Sequence, residues 1–477
     1  MLLRNSNANG RERSTYPWWL EEASLAGLSA PPSEPLIGAH EADVGIVGGG
    51  YTGLWTALTL KERVPDLHVA LLEGTACGAG ASGRNGGIFH GYWEQFHRLR
   101  ATLGVSRALK VCEAGSRAND AIAEFVRASG EDVWLEQAGF VLVATSRAQD
   151  STLEHAIIAG DDLPAGKRPV VLARDELKSI CVSPAMRRAV MFPEGGTLHP
   201  GRLVHALKRA ALRAGVEIYE SSPVDQVCAG DPCTLDTPLG RLRCAQVVLA
   251  TNAHLSSRRS QSRWLTNIGA FAVLTEPIPE YLQSVNLTTG HAFRDGRMFL
   301  HWWRTTRDNR LLMGTGSGPM SYGGRVDARH TNDRPTIQRA EQALARLFPD
   351  IGPVKITNSW GGAVDLSADR IPFFGTEMGT RIHFAAGYSG QGVNPCWIGG
   401  QALASLVLGD GEWCNSPFCE REIPRFPPEP FRYAGGRAVQ SAILACEDAL
   451  DVGKKAPPLA RAVASLPGLF GIQVGTR

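Results

Sequence analysis

Apolar and polar positions follow two rhythms along this chain, and the changes of rhythm mark its elements. "DVGIVG" (Asp43 to Gly48) is a short apolar run with β-branched residues that stops abruptly at glycines. The next stretch, "YTGLWTALTLKERV", sets Leu54, Ala57, Leu58 and Val64 at near-helical spacing, and "LHVALLE" then predicts a second strand ending in Glu73. Strand, glycine turn, helix, strand is a βαβ unit. Further on, "GYSGQGVN" places Gly387, Gly390 and Gly392 ahead of Ile398, Ala402, Leu403, Leu406 and Val407, a loop opening into a helix. Between these units, "RALKVCEAGSRANDAIAEFVRASG" predicts a helix, and "GFVLVAT", "GAFAVLTEP", "RMFLHWWRTT" and "RLLMGTG" predict strands of a second, mostly antiparallel region. The polar "STLEHAIIAGDDLPAGKRP" predicts a mobile surface segment.

The glycines of the first unit carry chemistry. Gly48 permits a tight turn, Gly50 lets the backbone approach a pyrophosphate, and Gly53 lets helix and strand pack closely; the helix start offers NH groups and a positive dipole end. Tyr51 and Thr52 occupy that first turn. Glu73 stands 20 residues after Gly53, where a carboxylate at the strand tip accepts from ribose hydroxyls and disfavours a 2'-phosphate. The unit predicts a dinucleotide, FAD or NAD. No second glycine fingerprint and no redox cysteine pair accompany it, which argues against a pyridine-nucleotide disulfide reductase.

Composition adds limits. At 477 residues the chain exceeds what one core usually supports, so two domains or an interleaved pair are expected. Its 49 basic and 47 acidic residues leave +2, with no basic excess for nucleic acid or a lipid surface. The N-terminus, "MLLRNSNANGRERSTYPWW", lacks the apolar core of a signal peptide, and no apolar stretch reaches membrane-span length, so a cytoplasmic enzyme is expected. Ten scattered cysteines show no metal or redox spacing and are expected free, Cys414 and Cys419 included; no metal site is expected.

A second glycine cluster, "GAGASGRNGG" (Gly78 to Gly87), follows the ribose-reading strand, where a plain NAD site needs no such loop. With this cluster, "IVGGGYTGLWTAL", "TLHPGRLVHALKRAALRAGVEIYESSPV", "AQVVLATNAHLS" and "HFAAGYSGQGVNPCWIGGQALASLVLG", the chain resembles the FAD-dependent amine and amino-acid oxidases of the D-amino-acid oxidase, glycine oxidase and sarcosine oxidase group. Within that group it looks most like the gamma-glutamylputrescine oxidase branch, whose tail is similar to "FPPEPFRYAGGRAVQSAILACEDALDVG".

The resemblance implies an α/β (α+β two-domain) fold. A Rossmann-like FAD-binding domain (41–90, 197–255, 355–410) would be interleaved with a mostly antiparallel β-sheet substrate domain (91–196, 256–354). An N-terminal arm (1–40) would precede them, and a tail with one helix (411–477) would follow. For cofactor contacts it implies Gly74, Ala81, Ser82, Arg84, Asn85, Gly86 and Gly87 beside the first turn, Val224 through its backbone at the base, and Ala250, Thr251 and Asn252. Gly387, Gly390, Gly392, Val393 and Asn394 would form the flavin loop. The helix after that loop would stabilise negative charge on a reduced flavin. Sarcosine oxidases anchor the ring through a cysteine where this chain has Gly361, and Cys396 falls in a helix start, so FAD is expected to be non-covalent.

For the substrate side, alternation along "MFLHWWRTTRDNR" (Met298 to Arg310) points His301 and Trp303 to one face and Leu300, Trp302 and Arg304 to the other. His301 is the expected helper in proton loss, Arg304 resembles the arginine that clamps a carboxylate in glycine oxidase, and Trp303, Trp360 and Tyr388 are expected cavity walls. Related enzymes usually carry tyrosines where this chain has His301 and Trp302 or Trp303. Phe89 and His90 follow the flavin loop directly. The expected reaction is oxidation of the carbon–nitrogen bond of an amine or amino acid, gamma-glutamylputrescine-like or a secondary amine, to an imine that hydrolyses, with O2 reduced to H2O2. No lysine of the kind that promotes oxygen reaction lies in Met298 to Ser317, and Asn394 stands where some relatives have one. A dehydrogenase, a tailoring enzyme for a bulky amine and a non-catalytic FAD-binding protein are the alternatives; oligomeric state is not legible.

Overall fold

The computed structural model describes residues 13–474. The polar start of the chain, residues 1–12, lies outside them. Two eight-stranded sheets organise these residues. In the first, the order is Phe373–Thr376, Ile382–Ala386, Gly240–Leu249, Gly38–Val47, Val69–Leu72, Glu217–Tyr219. The last five of these run parallel; Phe373–Thr376 runs antiparallel to its neighbour, and a short antiparallel pair (Gln226–Cys228, Cys233–Asp236) folds onto Gly240–Leu249. Every residue of Val69–Leu72 is buried, the apolar run expected of a strand covered on both faces. Helices Tyr51–Arg63 and Val393–Leu408 pack against each other beside this sheet; a Cβ on Gly400 would stand 2.6 Å from the Trp55 Cβ, so the glycine permits the close crossing.

The second sheet runs Ile356–Ser367, Leu265–Thr275, Leu311–Thr315, His301–Thr305, Ala292–Asp295, Phe140–Ala144, Arg188–Phe192, Val170–Leu172, antiparallel throughout except for the parallel pair Ala292–Asp295 with Phe140–Ala144. Strand period two divides it into two faces. One face carries Val141, Phe293, Trp303, Met313 and Val273 into an apolar core closed by helix Arg334–Leu347. The opposite face aligns Leu142, Arg294, Trp302, Gly314, Ala272 and Trp360 in register across six strands.

Three elements differ from the sequence reading. The strand Ile356–Ser367, expected among the FAD-binding segments, pairs along its whole length with Leu265–Thr275 and so belongs to the second sheet. The "STLEHAIIAG" stretch is helix Asp150–Gly160, and Thr152, Leu153 and Ala156 bury one side of it. Ser151, Glu154 and His155 lie exposed on the other side, which hid the helix from a reading of composition. The tail carries helices Gly411–Cys414, Phe431–Asp451 and Pro458–Leu469 rather than one. All ten cysteines are free. No helix among the described residues is long and apolar enough to cross a membrane.

The segment ahead of the first strand is also built in. Helix Trp18–Leu25 buries Trp18 and Trp19 beside Trp134 and His199. Burial pushes the His199 imidazole down to about 4, against the pull of Glu22, whose carboxylate stands 2.9 Å away. A depressed histidine pKa means the unfolded chain binds the proton more readily, so stability is full above pH 6.5 and falls toward pH 4.

Thermal unfolding across pH 4–7 is therefore expected to show a His199→Gln variant losing less stability on acidification than the parent. Trp303→Ala, which opens a cavity between Phe293 and Phe348, is expected to cost about 3–5 kcal/mol in denaturant unfolding.

Candidate active site

The turn after strand Gly38–Val47 is too close for side chains. A Cβ on Gly53 would lie 2.0 Å from the Gly48 carbonyl oxygen, and one on Gly48 (φ 111°) would lie 2.6 Å from the Ala250 oxygen. Helix Tyr51–Arg63 starts there with Gly50 as its cap, and Ser82 Oγ accepts from the Tyr51 NH at 2.9 Å. Glu73, at the tip of Val69–Leu72, accepts from the Gly49 NH at 2.8 Å and the Thr75 NH at 3.0 Å. These residues open onto one cavity of about 1290 Å³, which continues past Gly74, Val224, Ala250, Thr251 and Asn252 and reaches the second sheet.

The second glycine cluster forms the cavity's middle. Ala81, Ser82, Arg84, Asn85 and Gly86 line it. Two indoles fix their backbone: Trp19 Nε1 donates to the Asn85 oxygen and Trp360 Nε1 to the Arg84 oxygen, both at 2.8 Å. Asn85 Oδ1 accepts from the Gly87 NH, and the Arg84 guanidinium donates to the Ala79 and Gly361 oxygens. Gly87 itself sits outside the lining, at φ 65°, where a Cβ would meet the Leu198 oxygen at 2.1 Å. Gly53 likewise packs behind the wall.

From the other side, Gly390, Gly392, Val393 and Asn394 line the cavity at the start of helix Val393–Leu408, where Gly392 offers no capping side chain. Asn394 Oδ1 accepts from the His90 NH at 3.2 Å, while its buried Nδ2 has no partner. Gly387 lies behind this loop and donates to Asp365, whose carboxyl burial pushes up to about 6 against the NH groups that hold it. Two helix starts whose own cap residues are glycines, a side-chain-free turn lining the cavity and an unpartnered amide at the far end fit a dinucleotide flavin.

Of the substrate-side residues named from the sequence, the structure brings Tyr388 to the cavity and sets His301, Trp303, Arg304 and Trp360 outside its lining. Trp303 is fully buried in the opposite core, stacked on Phe293 at 5.4 Å. His301 points the same way and bonds Asp295 Oδ2 through Nδ1 at 3.0 Å. Arg304 shares Trp302's face, but its guanidinium is spent on the Gly87, Leu198 and Thr305 carbonyl oxygens, with burial lowering its pKa to about 9. Trp360 braces the loop, as above, and does not line the cavity. Tyr388 does line it, yet its hydroxyl is 2.7 Å from Thr52 Oγ1. Tyr51, too, turns its hydroxyl away, to the Pro200 oxygen at 3.0 Å.

Trp302 is the residue of this strand that faces the cavity. Its indole is clasped between Gly86 and Gly314: a Cβ on either would come within 2.6 or 2.0 Å of the ring. Beside it, in register, Arg294 donates to Glu94, and both are buried. His90 stacks on Phe140 with ring centroids 4.1 Å apart, bonds the Gly91 oxygen through Nδ1 at 3.0 Å and faces Gln391 Nε2 at 3.3 Å. Arg98 and Arg370 complete this end. Glu94, Arg98, Arg294 and Arg370 were not singled out from the sequence; for the first three the signal was charged residues set among aromatics in "GYWEQFHRLR" and "AFRDGR", and Arg370 stands just ahead of the aromatics of "DRIPFF".

The model of the family described as DAO, FAD dependent oxidoreductase, matches residues 43–406. The chain is 29% identical to the gamma-glutamylputrescine oxidoreductase of Escherichia coli, over 86% of this chain and 92% of that protein. It is 28% identical to a probable oxidoreductase OrdL of Haemophilus influenzae, over 79% of this chain and 85% of that one. Among solved structures, the glycine oxidase of Geobacillus kaustophilus superposes with a TM-score of 0.64 at 23% identity, covering 80% of this chain and all of that chain.

Replacing Glu73 by alanine frees the Gly49 and Thr75 NH groups and removes the acceptor at the strand tip. Glu73→Ala is expected to raise the FAD dissociation constant by about tenfold or more, read by fluorescence of flavin released on dialysis.

Proposed function

The chain belongs to the DAO family of FAD-dependent oxidoreductases, and from that premise we propose that it oxidises the carbon–nitrogen bond of a small aliphatic amine, gamma-glutamylputrescine-like or secondary, to an imine that hydrolyses, and passes the electrons to O2. FAD is the family's cofactor, and similar proteins include a gamma-glutamylputrescine oxidoreductase and a glycine oxidase. The observation that carries the reading is continuity: one cavity runs from the Gly48–Gly53 turn and Glu73 to Trp302, His90 and Glu94. The curated relative from Escherichia coli supports the choice of amine.

FAD would be held by the Gly48–Gly53 turn, Ser82, Glu73, Val224 and the Gly390–Asn394 loop, and when bound supplies the two-electron acceptor. The attachment proposed is non-covalent. Cys396 borders the cavity, but burial pushes its thiol up to about 12, and a protonated thiol is a poor nucleophile.

The protein's own work is placement and desolvation. Trp302, Phe140, Phe299 and Leu300 give the far end apolar walls, which favour the neutral amine over its ammonium form. His90 takes the part expected of His301. Its Nδ1 donates to the Gly91 oxygen, so Nε2 carries the lone pair that receives the Gln391 NH; a substrate ammonium displaces that NH to hand Nε2 its proton, and burial keeps the resting ring neutral by lowering its pKa. Gln391 orients Nε2.

The test is anaerobic mixing of the yellow holoenzyme with gamma-glutamylputrescine, putrescine, sarcosine and proline, followed by air. Bleaching by an amine, with colour and H2O2 appearing in air, is expected; a flavin that no amine bleaches contradicts the reading, and recovery without peroxide contradicts the choice of acceptor. His90→Asn is expected to slow bleaching about 10²-fold while retaining FAD.

A further inference from the structure

Asp365, on strand Ile356–Ser367, is fully buried and lines the cavity beside Asn252 and Ser389. The other buried carboxylates among the described residues each face a cation: Glu94 meets Arg294, Glu220 meets Lys208, Asp295 meets Arg346, Asp369 meets Arg421 and Glu447 meets Arg297. Asp365 is met by amides. Its Oδ2 accepts from the Gly387 NH and its Oδ1 from Asn252 Nδ2 at 3.3 Å, with the Tyr388 and Ser389 NH groups turned the same way.

Holding a charge among neutral donors costs free energy. An asparagine would accept the Gly387 NH as well, so the bonds alone do not account for the charge. The loop that Asp365 holds, Gly387–Ser389, runs straight into Gly390–Asn394, the segment proposed to hold the flavin, and a Cβ on Gly390 would lie 3.8 Å from Cγ1 of Val364, the neighbour of Asp365 on the strand. Two-electron reduction with uptake of one proton leaves one negative charge on a flavin ring, and a fixed carboxylate in a low-dielectric wall acts on that charge without touching it. NH groups spent on Asp365 are also withheld from the ring. We propose that Asp365 sets the reduction potential of the bound FAD, its carboxylate making the reduced ring less stable and favouring passage of the electron pair to the acceptor. Burial raises its pKa to about 6 against the amides that hold it, so it is charged at pH 8. The titratable groups around it keep their charge there: burial holds the Tyr388 hydroxyl and the Cys396 thiol protonated, strand Leu265–Thr275 faces it with Asn267, and His254, on the short helix after Asn252, feels Glu73. Arg370 meets the loop at the Ser389 oxygen.

The midpoint potential of the bound FAD at pH 8, measured by slow reduction with xanthine and xanthine oxidase against a reference dye, tests this without any amine substrate. Asp365→Asn, which keeps an acceptor for the Gly387 NH, is expected to retain FAD and to raise the potential by about 30 mV or more, a tenfold change in a two-electron equilibrium. An unchanged or lower potential in FAD-loaded Asp365→Asn overturns the proposal. The parent enzyme gives a second reading that needs no variant. Negative charge on the ring raises the Asp365 pKa, so reduction takes up an extra proton just above pH 6, and the fall of potential with pH is expected to steepen on passing upward through pH 6. A fall that does not steepen there overturns the proposal even if Asp365→Asn fails to hold FAD. Neither result depends on which amine, if any, reduces the flavin.

Discussion

The peptide turn between Gly48 and Gly53 leaves no room for a Cβ at position 53, only 2.0 Å from a carbonyl oxygen, and that closeness sets where the rest of the molecule sits. It drops the start of helix Tyr51–Arg63 directly onto the end of the central parallel strand, so Gly50, Tyr51 and Thr52 of its first turn line the cavity. Ser82 reaches the same turn from the second glycine cluster, and Thr52 reaches Tyr388 from the C-terminal one. Three segments far apart in sequence are thus tied to one point.

The second sheet is joined to that point through the loop Gly78–Gly87. Trp19 and Trp360 hold its backbone oxygens from outside, Arg304 holds the Gly87 oxygen, and Trp302 lies against Gly86. These contacts give a division of labour along one strand. Odd positions, His301 and Trp303, stabilise the sheet's far core; even positions either clamp the loop, as Arg304 does, or wall the cavity, as Trp302 does. Arginines serve this end as buried forks: Arg304 holds carbonyl oxygens, and Arg294 holds Glu94 while its Nε and Nη1 have no partner.

Local patterns in the sequence were enough for the βαβ unit, the glycine turns, the helix after Gly392 and the mixed fold, because each is fixed by neighbours within about 30 residues. What they did not carry was long-range pairing. The alternation along His301–Thr305 gave the correct two faces, but which face meets the cavity depends on helix Arg334–Leu347 covering the Trp303 side, a contact no spacing encodes. The same holds for Glu94 and Arg294, 200 residues apart and one hydrogen bond in space, and for strand Ile356–Ser367, whose partner lies about 90 residues earlier. Arg304 shows the limit of resemblance: the residue type was kept while its bonds went to the backbone.

The most direct measurement is the structure of the FAD-loaded enzyme at a resolution that places the isoalloxazine ring. The account predicts a ring bounded by the Gly390–Asn394 loop on one side, with Trp302, His90 and Arg294 lining the open volume next to it and His301, Trp303 and Arg304 out of contact with ring and ligand alike. A ring or ligand contacting the His301 and Trp303 face, or flavin bound outside the cavity that joins Glu73 to Trp302, would contradict it.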